Sequence, residues 1–224
     1  MHHSPAEIAR RAYETLKSSK PPQATVQAFV LPPEIASVAS LLRALTVPWA
    51  IAAGWAIDLA LGQITRPHRD VDVAVFRADQ ATLRAELADW TFEMVRDGER
   101  VPWPTGVRLE LPVFETYGRP PDAGPASAIE LLLDDRAGDE WIYRRDPGVR
   151  RPLKLAQRSG PAGLRLLAPE IVLLYKSKAP RAEDEHDFAV ALELMDAEAR
   201  AWLRSAVARM ESRHAWVTRL ESAG

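Results

Sequence analysis

The spacing of apolar residues changes along the chain from a mixed pattern to a helical one. Between residues 34 and 145, short runs with strand-like alternation are mixed with short helical stretches and separated by Pro- and Gly-rich connections. From Pro169 onward, apolar residues recur at three- and four-residue spacing, which is typical of amphipathic helices. The pattern therefore predicts an α/β (α+β) protein, with a small mixed-sheet domain followed by a C-terminal helical bundle.

The same pattern gives approximate limits for each element. Strands are predicted at 49–53, 70–76, 91–95, 107–113, 128–133 and, as an edge strand, 141–144. Helices are predicted at 35–45, 55–61 and 78–89, from Pro169, and along the apolar stripes of 188–195 and 202–210. We divide the chain into an N-terminal extension (1–33), an α/β domain (34–145), a basic connection (146–167) and a C-terminal helical domain (168–224).

Composition narrows the functional classes. The 224 residues carry a net charge of −2, with 47% apolar and 27% charged residues, which is an ordinary globular balance without a bias toward nucleic acid or acidic membranes. The absence of cysteine excludes disulfides, thiolate metal sites and cysteine nucleophiles. The start has no apolar signal core and no apolar run is long enough to span a membrane, so we expect a cytoplasmic protein.

Two aspartates carry the clearest chemical signal. Asp70 and Asp72 lie two residues apart in a β-branched run, so a strand would place both carboxylates on one face. Two carboxylates on an otherwise apolar strand repel each other and lose hydration, and a divalent cation relieves both costs. Oxygen ligands of this kind suit magnesium, which completes its shell with water and substrate phosphates. The pair therefore predicts a magnesium site for phosphoryl or nucleotidyl transfer.

A phosphate-binding loop is predicted just before these aspartates. Gly54 lies between a strand and a helix, where glycine permits positive φ and close approach of the backbone to a ligand. The N-terminus of the following helix, which begins near Trp55, would present free N–H groups to phosphates. Arg66 and His68 precede the carboxylate strand and could neutralise phosphate oxygens.

The order and spacing of these residues resemble a known family. The relevant residues are Gly54-Trp55, Asp58, Gly62, Arg66 and His68, leading into Asp70-Val71-Asp72-Val73. They resemble the signature of the nucleotidyltransferase superfamily of the DNA polymerase β type. More narrowly, they are similar to the aminoglycoside-2''-adenylyltransferase-like group, in which Gly-Gly-Trp is followed by an aspartate and by Arg-x-His-x-Asp-x-Asp. Ala53 stands where that pattern has its first glycine.

The strong resemblance covers about residues 49–76, and a looser one extends to the Tyr-x-Lys helix and the acidic helix near Asp184. It implies Mg²⁺, a nucleoside triphosphate such as ATP as co-substrate, and transfer of a nucleoside monophosphate to a hydroxyl. An aminoglycoside is the leading acceptor by resemblance, with antibiotic resistance as the role. The resemblance also suggests that Lys176 reaches the bound nucleotide. A structural ion pair of Lys176 or Lys178 with Asp184 or Asp187 is the alternative.

Enzymes of this type generally have a third carboxylate, which acts as general base or shared metal ligand. We choose Glu130, because Ile129, Leu131 and Leu133 face one way in its strand and leave Glu130 as a lone carboxylate among apolar residues. Glu110 competes, but Arg108 shares its face and predicts an exposed ion pair. Asp134 is the third choice.

Three alternatives remain open at the level of function. The basic run between Arg144 and Arg165 is either a solvated surface or a wall for a triphosphate or another polyanion. The acceptor could be a protein side chain or an RNA end instead of a small molecule, since a shared fold does not name its substrate. A nucleotide-binding module without catalysis is the rival from another class.

Overall fold

The computed structural model describes residues 29–121, 123 and 128–222. The N-terminal extension assigned to residues 1–33 lies outside the described residues as far as residue 28. Nearly all of the rest, from Leu31 onward, belongs to one compact unit. No helix among the described residues is long and apolar enough to cross a membrane.

The strands and helices of this unit alternate in its first two thirds, and helices follow. The strands are β1 (Trp49–Ile51), β2 (Asp72–Phe76), β3 (Thr91–Arg96), β4 (Glu99–Pro102), β5 (Glu115–Arg119), β6 (Ile129–Ala137), β7 (Glu140–Ile142), β8 (Arg150–Pro152), β9 (Gln157–Ser159) and β10 (Arg165–Leu167). The helices are α1 (Pro33–Leu42), α2 (Ala53–Leu61), α3 (Gln80–Glu86), α4 (Leu153–Ala156), α5 (Pro169–Lys176), α6 (Ala182–Ala191), α7 (Ala197–Met210) and α8 (Ala215–Ser222).

The sheet is mixed, as the sequence predicts. Its strand order is β4-β3-β5-β6-β2-β1-β10-β9, and β7 continues from β6 into a side ribbon with β8. Strands β2 and β6 run parallel, with Asp72 opposite Glu130, whereas β5 and β6 run antiparallel, with Tyr117 opposite Glu130. Residues opposite each other in register share a face of the sheet. Asp72, Glu130 and Tyr117 therefore form one row across three strands.

The helical part covers this sheet around α5. Four consecutive residues of α5, from Ile171 to Leu174, are at most 2% exposed, because the helix packs against α2, α6 and α7. Burial on all sides explains why this helix lacks the polar face of an ordinary surface helix. Its first residue, Pro169, occupies the first helical turn as predicted, where a missing backbone N–H carries no cost.

Several predicted elements need correction. The strand that carries the aspartates begins at Asp72, so Asp70 lies in the bend before it. The strand predicted at 107–113 is wrong, since this segment forms turns and loop. The side chain of Gln80 hydrogen-bonds both the backbone N–H (2.6 Å) and the carbonyl (3.0 Å) of Leu109, which a strand would satisfy through a neighbouring strand. Strands β4 and β5 lie where the sequence predicts only connections.

The predicted domain limits stay a prediction, but residues 146–167 do more than connect. This segment contributes β8, β9 and β10, and β10 pairs in parallel with β1. The chain therefore returns to the main sheet immediately before α5, which places the end of α5 above the strand ends that carry Asp72 and Glu130.

Candidate active site

A cavity of about 510 Å³ lies between the sheet and the helices, and most of the predicted site residues line it. These are Gly54, Arg66, His68, Asp70, Asp72, Glu130 and Lys176, together with the alternative Asp134. Trp55 is not part of the lining. It is 7% exposed and its ring stacks on that of His68, with 4.2 Å between the ring centroids. Glu110 lies outside this cavity beside Arg108, in the exposed ion pair predicted for it (2.7 Å).

Asp72 and Glu130 form a desolvated pair of carboxylates at the start of their parallel strands. Burial, followed by repulsion from Asp70, raises the pKa of Asp72 to about 6. Burial, followed by repulsion from Asp72 and Glu115, raises the pKa of Glu130 to about 8. Each shift means that the folded, metal-free protein holds a proton where an exposed carboxyl would not. Ionisation of both carboxyls is therefore costly in the metal-free protein, and a bound cation would relieve this cost.

The chemistry of the donors fits a magnesium ion. Among the described residues, the carboxylates of Asp70 and Asp72 make no side-chain hydrogen bond or ion pair, so their oxygens are free for a ligand. Within the same part of the chain, no group of three or more His, Asp or Glu side chains is gathered closely enough to hold a metal ion alone. Magnesium suits such a site, since it is commonly held by one or two carboxylates plus water and substrate phosphates.

Sequence reasoning missed two polar groups beside Glu130. The Tyr117 hydroxyl lies 3.1 Å from Oε2 of Glu130 and 2.7 Å from Oε1 of Glu115, and it can donate to either. Burial, reinforced by these two carboxylates, raises the pKa of Tyr117 and keeps it a donor. The alternation of Glu115 and Tyr117 is a strand signal, but the following Pro120-Pro121 favoured a loop. Glu115 is therefore a further carboxylate next to the site.

The glycine loop works differently from the prediction. Positive φ occurs at Ala53 (+48°) and not at Gly54, so Ala53 adopts the left-handed conformation at the position where the family pattern has glycine. A Cβ on Gly54 would lie 2.1 Å from Nη2 of Arg66 and 2.8 Å from Cε1 of His68. Glycine is therefore required at position 54 because the two side chains pack directly on its backbone.

Replacing Ala53 with Gly should stabilise the protein by up to about 1 kcal/mol, because a left-handed conformation costs an L-residue roughly 1–2 kcal/mol and glycine almost nothing. The matched control is Ala60→Gly in the last turn of the same helix, which should destabilise by about 0.5–1 kcal/mol. Urea unfolding of both variants measures the difference. Equal destabilisation by the two glycines would mean that Ala53 is not strained.

Arg66 and His68 are both held by buried carboxylates. Arg66 donates from Nε and Nη2 to the two oxygens of Asp187 in α6, at 2.7 and 2.8 Å. His68 Nε2 lies 2.7 Å from Asp58, which is 1% exposed and also accepts hydrogen bonds from Thr65. Burial tends to raise the pKa of Asp58, but the hydrogen bonds from His68 and Thr65 lower it overall. Both side chains are thus fixed next to Gly54.

The structural ion pair considered for Lys176 is present. Its Nζ contacts carboxylate oxygens of Asp184 and Asp187, at 2.5 and 3.0 Å. Asp187 therefore links Arg66, in the loop before the aspartates, with Lys176 at the end of α5. Whether Lys176 also reaches a nucleotide stays a prediction, although its position on the cavity wall permits it.

The basic run between Arg144 and Arg165 divides into two kinds of residue. Arg144 and Arg145 line the cavity. Arg151, at 4% exposure of its side chain, pairs with the buried Glu170 at 2.7 Å, and Arg150 pairs with Glu140 at 3.0 Å. The run therefore does not form one continuous basic wall.

Comparisons with known proteins agree with this fold. The family model of aminoglycoside-2''-adenylyltransferase matches residues 34–110, about a third of the chain. A crystal structure of the lincosamide antibiotic adenylyltransferase LnuA with lincomycin bound is similar, with 16% identity, a TM-score of 0.50, and coverage of 74% of this chain and 99% of that one. No curated protein sequence matches significantly.

Two further solved structures are similar at a lower TM-score. The solution structure of the antibiotic-resistance factor ANT(2'')-Ia has 18% identity and a TM-score of 0.49, over 85% of this chain and 95% of that one. An antigenic nucleotidyltransferase-like protein from Paracoccidioides brasiliensis has 22% identity and a TM-score of 0.44, over 84% and 89%. The family match confirms the predicted resemblance and the enzyme class, a nucleotidyltransferase, and LnuA confirms the fold.

Proposed function

We propose that this protein is a magnesium-dependent nucleotidyltransferase that moves a nucleoside monophosphate, AMP by preference, from a triphosphate to a hydroxyl of a small acceptor. The observation that carries the proposal is the convergence of Asp70, Asp72 and Glu130 on one cavity, with Asp72 and Glu130 directly opposite each other in parallel strands. Three carboxylates crowded in this way are costly for a protein that binds no cation.

Asp70 and Asp72 would hold the magnesium ion. When bound, the ion supplies positive charge that stabilises charge developing on the transferred phosphoryl group. The two side chains suit this role. Asp70 is exposed to an incoming ligand, and Asp72 is held in place because it is the first residue of β2. Most of the catalysis then comes from positioning and electrostatics, as is usual for phosphoryl and nucleotidyl transfer.

Glu130 is our candidate for the general base that accepts the proton of the acceptor hydroxyl. A base is most effective when its pKa lies near the working pH, and burial raises the pKa of Glu130 above that of an exposed glutamate. The Tyr117 hydroxyl, 3.1 Å from Oε2, restricts the orientation of the carboxylate. Glu110 is too exposed and too far from the cavity lining for this role. Both oxygens of Asp134 already accept hydrogen bonds, from Trp141 and Tyr175.

The triphosphate would lie along the glycine loop, near the N-terminus of α2. Gly54, Arg66, His68 and Lys176 line this side of the cavity, as the predicted nucleotide site requires. Trp55 supports the ring of His68 from behind. Because Arg66 and Lys176 already pair with carboxylates of α6, we assign them mainly to shaping the loop and only in part to phosphate contact.

A small acceptor fits the cavity better than a macromolecule. Its volume of about 510 Å³ is in the range of small-molecule sites. Arg150 and Arg151, which could have extended a basic surface for RNA, are engaged in ion pairs. An aminoglycoside remains the leading acceptor because of the family resemblance, and a lincosamide is the second, because LnuA has the same fold.

Incubation of the protein with Mg²⁺ and labelled ATP, GTP, CTP or UTP tests the proposal. Aminoglycosides, lincomycin, RNA and lysate proteins serve as separate acceptors. We expect a labelled small molecule, with ATP as the best donor, and no product when Mg²⁺ is replaced by EDTA. Labelled RNA or protein instead would assign the macromolecular function. Tight nucleotide binding without transfer to any acceptor would mean that the protein is a nucleotide-binding module.

A further inference from the structure

The cationic side chains of the cavity fall into two groups. Arg66, Lys176 and Arg181 are neutralised by carboxylates of α6. The second group lines the same cavity and, within the described part of the chain, makes no direct hydrogen bond or ion pair with a carboxylate: Arg69, Arg144, Arg145 and Lys178. Cations that face a cavity without a counter-ion attract anions to it. The second group is therefore the candidate for a further anion site, in addition to the phosphate contacts predicted for Arg66 and His68.

Arg144 is the member of this group that lies closest to aromatic rings. Its guanidinium lies over two rings, 3.6 Å from the ring centroid of Phe114 and 4.0 Å from that of Tyr175. Stacking on the rings restricts the plane of the fork and leaves its edge for hydrogen bonds. Phe114 and Tyr175 also line the cavity, so the fork is held at the cavity wall. An arginine fixed in this way loses little side-chain freedom when it binds an oxyanion.

The carboxylate that interacts with Arg144 already accepts hydrogen bonds from other side chains. Asp134 interacts with Arg144 electrostatically, but its two oxygens accept hydrogen bonds from the Tyr175 hydroxyl (2.6 Å) and the Trp141 indole N–H (2.9 Å). Arg144 itself interacts further only with the hydroxyl of Tyr175 among the described groups. Most of the five N–H donors of the guanidinium are therefore available to a ligand.

Arg84 provides a useful contrast elsewhere in the fold. It also lies over two rings, 4.2 Å from the centroid of Phe92 and 4.6 Å from that of Trp103. Its fork, however, donates to the carbonyl of Trp103 and the hydroxyl of Thr105, at 2.9 and 3.3 Å. Arg84 thus shows what a purely structural stacked arginine does in this protein. Arg144 has the same stacking without comparable use of its donors.

We propose that Arg144, supported by Arg145 and Lys178, forms an oxyanion subsite for a phosphate group at the cavity wall. The proposal rests on the proposed function only in that it expects phosphate-bearing substrates in this cavity. The phosphate belongs either to the triphosphate tail, whose pyrophosphate leaves during transfer, or to an anionic group of the acceptor. The chemistry of recognition, a planar fork with two neighbouring cations, is the same for both.

Calorimetric titration of the full-length protein with inorganic pyrophosphate tests the subsite without any transfer reaction. Arg144→Gln should weaken pyrophosphate binding about 10- to 150-fold, the range expected for a charge-assisted hydrogen-bonded contact. Arg145→Gln should weaken it less, because Arg145 is exposed and already donates to the Tyr175 carbonyl. This second variant carries the test if Arg144→Gln does not fold.

The matched control is Arg84→Gln, which removes a stacked arginine outside the cavity. It should lower the melting temperature and leave pyrophosphate affinity unchanged. If Arg144→Gln behaves in the same way as this control, the subsite does not exist and Arg144 is structural. Absence of pyrophosphate binding to the wild-type protein would overturn the proposal equally.

Parallel titrations with ATP and AMP identify the source of the phosphate. A loss of ATP affinity in Arg144→Gln that matches the loss for pyrophosphate, with AMP unaffected, places the triphosphate tail at Arg144. A loss for pyrophosphate alone supports the subsite and assigns it to an anionic acceptor. These titrations do not depend on nucleotidyl transfer, so the subsite can be confirmed even if the transfer assay fails. In the same way, the transfer assay can succeed even if the subsite does not exist.

Discussion

The double variant Asp70→Asn, Asp72→Asn is expected to lose magnesium-dependent triphosphate binding and all nucleotidyl transfer. The two carboxylates are the proposed metal ligands, and amides do not replace the charge that attracts the ion. Among the described residues nothing else pairs with either side chain, so the substitutions break no structural contact. Calorimetry with ATP, in the presence of Mg²⁺ and of EDTA, measures the effect. Unchanged metal-dependent binding would mean that the metal site lies elsewhere.

The same variant should be more stable than the wild type in the absence of metal, and the gain should depend on pH. The pKa of Asp72 is raised from 3.8 to about 6 in the folded protein, so the folded state binds a proton more tightly than the unfolded state. Stability contributed by this group is complete below pH 4 and is lost as the pH rises through 6. The variant escapes this loss, which is worth up to about 3 kcal/mol for a shift of this size.

Urea unfolding at pH 4.5 and pH 8 in EDTA checks this expectation. The double variant should exceed the wild type clearly at pH 8 and only slightly at pH 4.5. Asp89→Asn, at an exposed carboxylate without a described partner, is the control and should have no effect at either pH. A double variant that is less stable than the wild type at pH 8 would show that the two carboxylates stabilise the metal-free fold.

Glu130→Gln is expected to lower the transfer rate about 10²–10⁴-fold while leaving triphosphate binding nearly unchanged. The loss follows from removal of the base next to the acceptor hydroxyl, whereas the proposed nucleotide contacts come from the glycine loop and the two aspartates. Single-turnover transfer to the best acceptor, with binding measured separately, distinguishes the two effects. A large loss of triphosphate affinity instead would make Glu130 a shared metal ligand.

Two matched variants assign the base among the neighbouring carboxylates. Glu110→Gln should retain transfer, because Glu110 lies in an exposed pair with Arg108 away from the cavity. Glu115→Gln should reduce transfer only moderately, because Glu115 shares the Tyr117 hydroxyl with Glu130 but does not line the cavity. Collapse of transfer in Glu115→Gln with activity kept in Glu130→Gln would move the base to β5.

The sequence predicts the parts of this site that lie close together along the chain. Alternation in a β-branched run identifies β2 and Asp72. In β6, Glu130 is recognisable because it is a carboxylate among apolar residues. The helical spacing after Pro169 identifies α5, α6 and α7. Each of these features depends on a local period of the backbone, which is present in the sequence itself.

Features that depend on a distant partner could not be predicted in this way. The loop at 103–114 replaces a predicted strand because the side chain of Gln80, 29 residues away from Leu109, satisfies its backbone. Strand β5 is recognisable only once β3 and β6 flank it, since Pro120-Pro121 next to it suggests a turn. Glu115 and Tyr117 were therefore missed together with their strand.

The pairing of basic side chains with carboxylates depends most strongly on the three-dimensional fold. Arg66, Arg144 and Arg151 are, in the sequence, three basic residues that could each bind a phosphate. In the fold, Arg66 pairs with Asp187, which is 121 residues away, and Arg151 is buried against Glu170. Arg144, by contrast, stacks on Phe114 at the cavity wall. The residues alone are enough to predict the aspartate pair that we propose as metal ligands, the family resemblance and the fold class. Which cations remain available to a ligand was decided only by the fold, because an ion pair depends on three-dimensional proximity and burial and not on position in the chain.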